Sequence, residues 1–168
     1  MGKHIQILGD SGRGKSTFAK KLSEKTGIPF YSTDDFYWKT KFTEPNNKQQ
    51  SIEDIGKIYD QNEWIVEGGT RHLTQKGMEV VDTIYLLEFS NILVQYYFII
   101  RRSLGRKNEK LIDLYKLLKH ITYKKYKKGY GNHLPTIREM LKPHKDKVIH
   151  LRSLREINNC LDSTNVAD

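Results

Sequence analysis

Nine consecutive residues, Gly9, Asp10, Ser11, Gly12, Arg13, Gly14, Lys15, Ser16 and Thr17, carry the chemistry most easily read from this chain. Gly9, Gly14, Lys15 and Ser16 satisfy the pattern G-x-x-x-x-G-K-[ST] of a phosphate-binding loop. The glycines let the backbone curl so that several N–H groups aim at one phosphate chain, and a helix starting at Lys15 adds the positive end of its dipole. Lys15 can then reach the terminal phosphates of a nucleoside triphosphate, and the Ser16 hydroxyl can ligate Mg²⁺. The chemistry implied is nucleotide binding with Mg²⁺, with all nine residues contributing to the donor site.

A second group of candidates follows. Asp34 and Asp35 stand just after a short apolar segment, where a carboxylate can take a proton from a hydroxyl nucleophile or hold the water shell of Mg²⁺. The competing use of Asp34 is to cap a helix starting at Asp35. Tyr37 and Trp38 offer flat faces for a base or sugar, or core packing. Glu67, Gly68 and Arg71 combine a carboxylate, a residue permitting close backbone approach and a guanidinium suited to bidentate phosphate contact, a corner able to hold the phosphate acceptor. Glu88 is either a ligand or a charge at a helix start. Arg101, Arg102, Arg106 and Lys107 form a basic cluster, in which arginines on a moving segment can stabilise charge on a phosphoryl group in transit.

These residues need elements to hold them. Strands are expected at 4–8, 27–31, 64–66, 83–87 and 147–151, separated by helices at 15–25, 51–59, 92–104 and a further helical stretch to about 121. A closing helix is expected at 153–161, with Ser153 as N-cap and Glu156 at the capping-box position, and 40–50 reads as a polar loop. Strands alternating with helices predict a parallel α/β sheet with its ligand at the carboxyl ends of the strands. At 168 residues the chain is expected to be one domain.

The net charge of +9 is concentrated in one part of the chain. Residues 1–100 carry 12 Lys and Arg against 13 Asp and Glu, whereas 101–128 carry 11 against 2. Such a block faces an anionic partner or simply solvent. The alternation of Tyr and Lys over 123–130 suits single-stranded nucleic acid, yet is better matched by a helix with a wet lysine face. One cysteine, Cys160, allows no internal disulfide. The longest apolar stretch, 92–100, is too short to span a bilayer, and no signal peptide is read at the start. The expected location is the cytoplasm, with no membrane partner.

With these pieces in place the chain resembles the adenylate kinase-like branch of P-loop kinases, and more narrowly the small DNA topology modulation proteins of that branch. The residues that carry the resemblance are the loop at 9–17, Asp34 with Trp38, the run Trp64 to Gly68, the run Asp82 to Glu88, the Arg101 and Arg102 pair, and the terminal stretch around Val148 to Ile157. The resemblance implies a P-loop NTPase fold, α/β, with a five-stranded parallel sheet flanked by helices and a basic helical lid at about 101–140. It also implies that Arg71 holds the acceptor's phosphate, and that Arg102 and Arg106 belong to the start of the lid. Asp34 corresponds to the acidic residue that activates a sugar hydroxyl in related nucleoside kinases. The function implied is ATP- and Mg²⁺-dependent phosphoryl transfer to a small nucleotide or nucleoside, with Lys15, Asp34, Arg102 and Arg106 catalytic. Gly68, Glu67, Trp38 and Arg71 then lie at the acceptor. The alternative is a nucleotide-dependent, DNA-associated regulatory ATPase that uses 101–128 as its contact surface.

Overall fold

The computed structural model of the protein describes residues 2–40, 44–89, 91–105, 111–126 and 136–164. The chain opens with β1 (His4–Gly9), α1 (Lys15–Thr26), β2 (Phe30–Ser32) and α2 (Thr33–Tyr37). There follow β3 (Trp38–Thr40), β4 (Glu44–Pro45), α3 (Lys48–Tyr59), β5 (Trp64–Glu67), α4 (Arg71–Val80) and β6 (Thr83–Leu87). Last come α5 (Ile92–Leu104), α6 (Leu111–Tyr126), α7 (Ile137–Leu141), a 3₁₀ segment (Lys142–Lys147), β7 (Val148–Leu151) and α8 (Leu154–Ser163).

Five strands form one sheet in the order β2-β5-β1-β6-β7, and every pairing in it is parallel. This is the sheet expected from the strand–helix alternation. Its strands alternate inward faces with period two. Ile5, Ile7, Ile65, Tyr85 and Leu87 pack with Phe18, Ala19 and Leu22 of α1 and Ile157 and Leu161 of α8 on one face. Leu8, Trp64, Val66, Ile84 and Leu86 pack with Ile55 and Tyr59 of α3 and Leu73 and Met78 of α4 on the other. Both faces are covered, which explains why β5 and β6 read as unbroken apolar runs.

β1 lies in the middle, with β5 on one side and β6 on the other. The chain turns first toward the β5 side and later crosses to the β6 side. The switch point, and the crevice that accompanies it, therefore lies at the carboxyl end of β1, where the glycine-rich loop begins.

Three local expectations are corrected. The segment 40–50 is not a plain loop: β3 and β4 form a two-stranded antiparallel ribbon. Helix α3 starts at Lys48, because Asn47 caps it by accepting from the N–H groups of Gln49 and Gln50. At α8, Ser153 caps as expected, with its Oγ accepting from Glu156 N–H at 3.1 Å. The Glu156 carboxylate, however, accepts from Arg152 N–H at 2.7 Å, one residue outside the expected box. Among the described residues no helix is long and apolar enough to cross a membrane.

Candidate active site

The loop from Gly9 to Gly14 is built for close approach. Gly9, Gly12 and Gly14 all have positive φ, a conformation costly for residues with a Cβ. At Gly9 a Cβ would lie 1.9 Å from the Leu87 carbonyl oxygen, so β1 and β6 can approach there only through glycine. Gly14 occupies the N-cap of α1 with no side-chain cap, and nothing lies within 4 Å of where its Cβ would be. The first amides of α1 thus stand at the positive end of a helix dipole with open space beside Gly14, an arrangement able to bind an anion.

The loop is tied to the β6–α5 side residue by residue. The Asp10 carboxylate accepts from Phe89 N–H at 2.9 Å. The Ser11 carbonyl accepts from Gln95 Nε2 at 3.1 Å, and Gly12 packs on Ile99. The Arg13 guanidinium lies 4.8 Å over the Phe89 ring and is only 7% exposed. Burial lowers the Arg13 pKa, while the charges of Glu156 and Asp10 act in the opposite direction. The side chains of Asp10 and Arg13 therefore tie the loop to Phe89, just after β6. Lys15 Nζ donates to the Asp10 carbonyl at 3.0 Å, folded across the loop it belongs to.

One residue joins the loop to the opposite bank. Glu67, at the tip of β5 and 5% exposed, accepts from Ser16 Oγ at 2.8 Å and from Ser32 Oγ at 2.9 Å through the same oxygen, Oε1. Ser32 Oγ in turn accepts from Asp34 N–H at 3.4 Å as the N-cap of α2. Ser32, not Asp34, is therefore the capping residue, and α2 begins at Thr33 rather than Asp35. A hydrogen-bond string runs from the second residue of α2 to the hydroxyl expected to meet a metal. Gly68 follows with φ of 130°, and a Cβ there would fall 1.8 Å from Thr33 Oγ1, so glycine closes the tips of β5 and β2 together.

On that bank Asp34 is half-buried and Asp35 exposed, both in the first turn of α2. Trp38 is half-buried at the start of β3, edge-on to Tyr37 at 4.7 Å, and Tyr37 tilts against His72 at 5.8 Å. Burial lowers the His72 pKa, reinforced by the Lys48 charge. Arg71 is the first residue of α4 and half-buried. The structure thus brings the loop, Glu67, Gly68, Arg71, Asp34 and Trp38 to the carboxyl ends of β1, β5 and β2. Arg102 lies on α5, and Arg106 lies outside the described residues. Glu88 turns to the far edge, where its carboxylate meets His150 at 3.1 Å and Arg152 at 3.7 Å.

Mg²⁺ fits this donor set. Among the described residues no group of three or more His, Cys, Asp or Glu is placed to hold a metal ion. The protein instead offers a hydroxyl, Ser16, beside one buried carboxylate, Glu67. Mg²⁺ is commonly held by one or two carboxylates together with substrate phosphates and water. Two residues that the sequence reading passed over are Ser32, whose position one residue before an acidic helix start is a capping signal, and Gln95, the single polar residue in 92–100.

No family model matches the chain. A stretch of 79 residues is 35% identical to the adenylate kinase of Thermotoga neapolitana, covering 45% of this chain and 36% of that protein. A stretch of 73 residues is 38% identical to the uncharacterized protein YqaC of Bacillus subtilis strain 168, covering 40% of this chain and 39% of that protein. The chain thus spans under two fifths of the length of these curated relatives. Among solved structures it is similar to shikimate kinase from Acinetobacter baumannii, with a TM-score of 0.56 at 12% identity over 97% of this chain and 90% of that one. It is also similar to shikimate kinase from Bacteroides thetaiotaomicron, with a TM-score of 0.53 at 14% identity over 95% and 94%. A sugar kinase from Janibacter sp. HTCC2649 gives 0.51 at 15% identity over 96% and 94%. At such identities the structural likeness speaks to the fold alone, an α/β P-loop NTPase fold with a five-stranded parallel sheet flanked by helices.

Proposed function

We propose that this protein is a P-loop kinase that transfers the γ-phosphoryl group of ATP, with Mg²⁺, to a small nucleotide- or nucleoside-like acceptor. The observation that carries the reading is Glu67, which hydrogen-bonds at once to Ser16 of the phosphate loop and to Ser32 at the start of the acidic helix. That contact supports a reading in which donor and acceptor lie on either side of one carboxylate. The sequence similarity to adenylate kinase supports it over part of the chain.

The loop amides, with Gly9, Gly12, Gly14 and Thr17, hold the donor phosphates, and Lys15 swings from the Asp10 carbonyl to the terminal phosphates. When bound, Mg²⁺ neutralises charge on those phosphates; Ser16 and Glu67 are the residues to hold it and its water. Asp34 accepts the proton of the acceptor hydroxyl, and Arg71 fixes the acceptor's anionic group in a bidentate grip. Trp38 and Gly68 shape the acceptor side. Arg102 and Arg106 complete the charge balance from the basic segment at 101–140, which acts as a lid and excludes water.

The test is transfer of labelled γ-phosphate from ATP·Mg²⁺ to a panel of nucleosides, nucleoside monophosphates, shikimate and sugars. One strong acceptor whose labelling disappears in Lys15→Ala supports the kinase. Slow hydrolysis alone across the whole panel removes it. The second reading, a DNA-associated regulatory ATPase, is favoured by the excess of 11 basic over 2 acidic residues in 101–128. It requires oligonucleotide binding that weakens steeply with salt, because each neutralised phosphate releases counterions.

A further inference from the structure

The described residues include ten large apolar side chains left exposed, and seven of them lie on two consecutive helices. Leu93, Val94, Tyr97, Ile100 and Leu104 are on α5, and Ile112 and Tyr115 are on α6; the other three, Val80, Ile149 and Leu154, are scattered. Leu104 is 79% exposed and Leu93 67%. Single exposed apolar residues are ordinary, but a contiguous group is not.

Helix α5 has a buried side and a separate exposed apolar stripe. Gln95, Ile99 and Ser103 are buried and share one side, where Gln95 and Ile99 hold the phosphate loop. At about 100° per residue, Leu93, Tyr97, Ile100 and Leu104 line a separate, outward stripe. The outward four follow spacings of four, three and four residues, the a/d rhythm of a helix–helix seam rather than the wide face of a membrane-surface helix. The seam residues are uncharged, and an uncharged seam of one pitch is its own complement across a two-fold axis. Seven side chains exposed to this degree present on the order of 700 Å², comparable with one side of a standard protein interface.

We propose that the outward face of α5, extended by Ile112 and Tyr115 of α6, is the two-fold interface of a homodimer. The chain carries a net charge of +9, and among the described side chains the exposed charges near this face, Arg101 on α5 and Lys116 and Lys119 on α6, are positive. Two copies therefore bring like charges together at the rim, and salt that screens them strengthens the dimer. An anionic partner, whether lipid, nucleic acid or acidic protein, has the opposite salt dependence.

The test is sedimentation equilibrium of the full chain at low and moderate ionic strength, with Tyr97→Glu and Leu104→Glu as interface variants. Leu154→Ser, another exposed apolar residue, serves as the control. The expected result is a wild-type dimer that tightens with salt and is weakened roughly tenfold or more by either glutamate. Far-UV circular dichroism should be unchanged and Leu154→Ser should match the wild type. A wild-type monomer at every concentration overturns the proposal, as does a dimer indifferent to both glutamates. So does a monomer that binds anionic phosphatidylglycerol vesicles or a single-stranded oligonucleotide through this face, losing that binding in the same variants.

Discussion

Glu67 illustrates how little of a side chain's role its neighbours in sequence reveal. Its sequence context, a carboxylate before two glycines and an arginine, suggested the acceptor. In the structure it sits between the start of α2 and the phosphate loop, accepting two hydroxyl hydrogen bonds while buried. Removing such an acceptor leaves two donors without a partner, whereas an amide keeps the shape and loses the charge. Glu67→Gln should therefore fold normally and raise the Mg²⁺ concentration needed for half-maximal transfer by roughly 10- to 100-fold, as for other groups that orient a metal's ligands. A magnesium titration of initial rates measures this. Lys15→Ala should lower kcat by roughly 10³-fold, the scale of losing one preorganised charge at the transferring group. Its far-UV circular dichroism should match that of the wild type, because the Lys15 bond to the Asp10 carbonyl lies within the loop itself.

At the scale of elements, glycine and one aspartate decide how the sheet's two ends close. At the carboxyl end, Gly68 packs against Thr33 with positive φ. Gly68→Ala combines strain with a clash and should cost about 2 kcal/mol or more, seen as a lower urea midpoint with an unchanged slope. At the opposite end, Asp82 accepts from the N–H groups of Lys3 and His4 at 2.9 and 3.0 Å, pinning the start of β1. The His4 N–H is the main reason its carboxyl pKa is lowered. A pKa lowered by folding means that the unfolded chain binds the proton more tightly. The stabilisation is thus complete above the ordinary aspartate range and is lost as pH falls through the lowered folded value. Asp82 is 45% exposed, so Asp82→Asn should cost only about 1 kcal/mol at neutral pH. Urea melts repeated down to acid pH should show the variant and wild type converging. The ribbon of β3 and β4 escaped the sequence reading because its strands are three and two residues long, too short for a period of two to register.

For the molecule as a whole, a donor that binds only the folded state must stabilise it. At a hundred times its dissociation constant, ATP·Mg²⁺ should add about 2.7 kcal/mol, and a thermal-shift assay should show the rise in wild type and its loss in Lys15→Ala. The phosphate loop, the parallel sheet and most helices were legible in the sequence because each depends on neighbouring residues. Glycines at set spacing allow positive φ, apolar runs mark strands covered on both faces, and Ser153 caps the helix that follows it. The chemistry of the site was less legible. Ser16 and Glu67 are 51 residues apart, and Ser11 and Gln95 are 84. No local pattern records such pairs. The strand order inserts β5 between β2 and β1, so the tip of β5 meets Ser32 on one side and Ser16 on the other. Sequence alone thus determined that the chain would build a phosphate-binding loop on a parallel α/β sheet. Tertiary structure alone decided which carboxylate faces that loop, because only the lateral order of the strands brings distant tips within hydrogen-bonding reach.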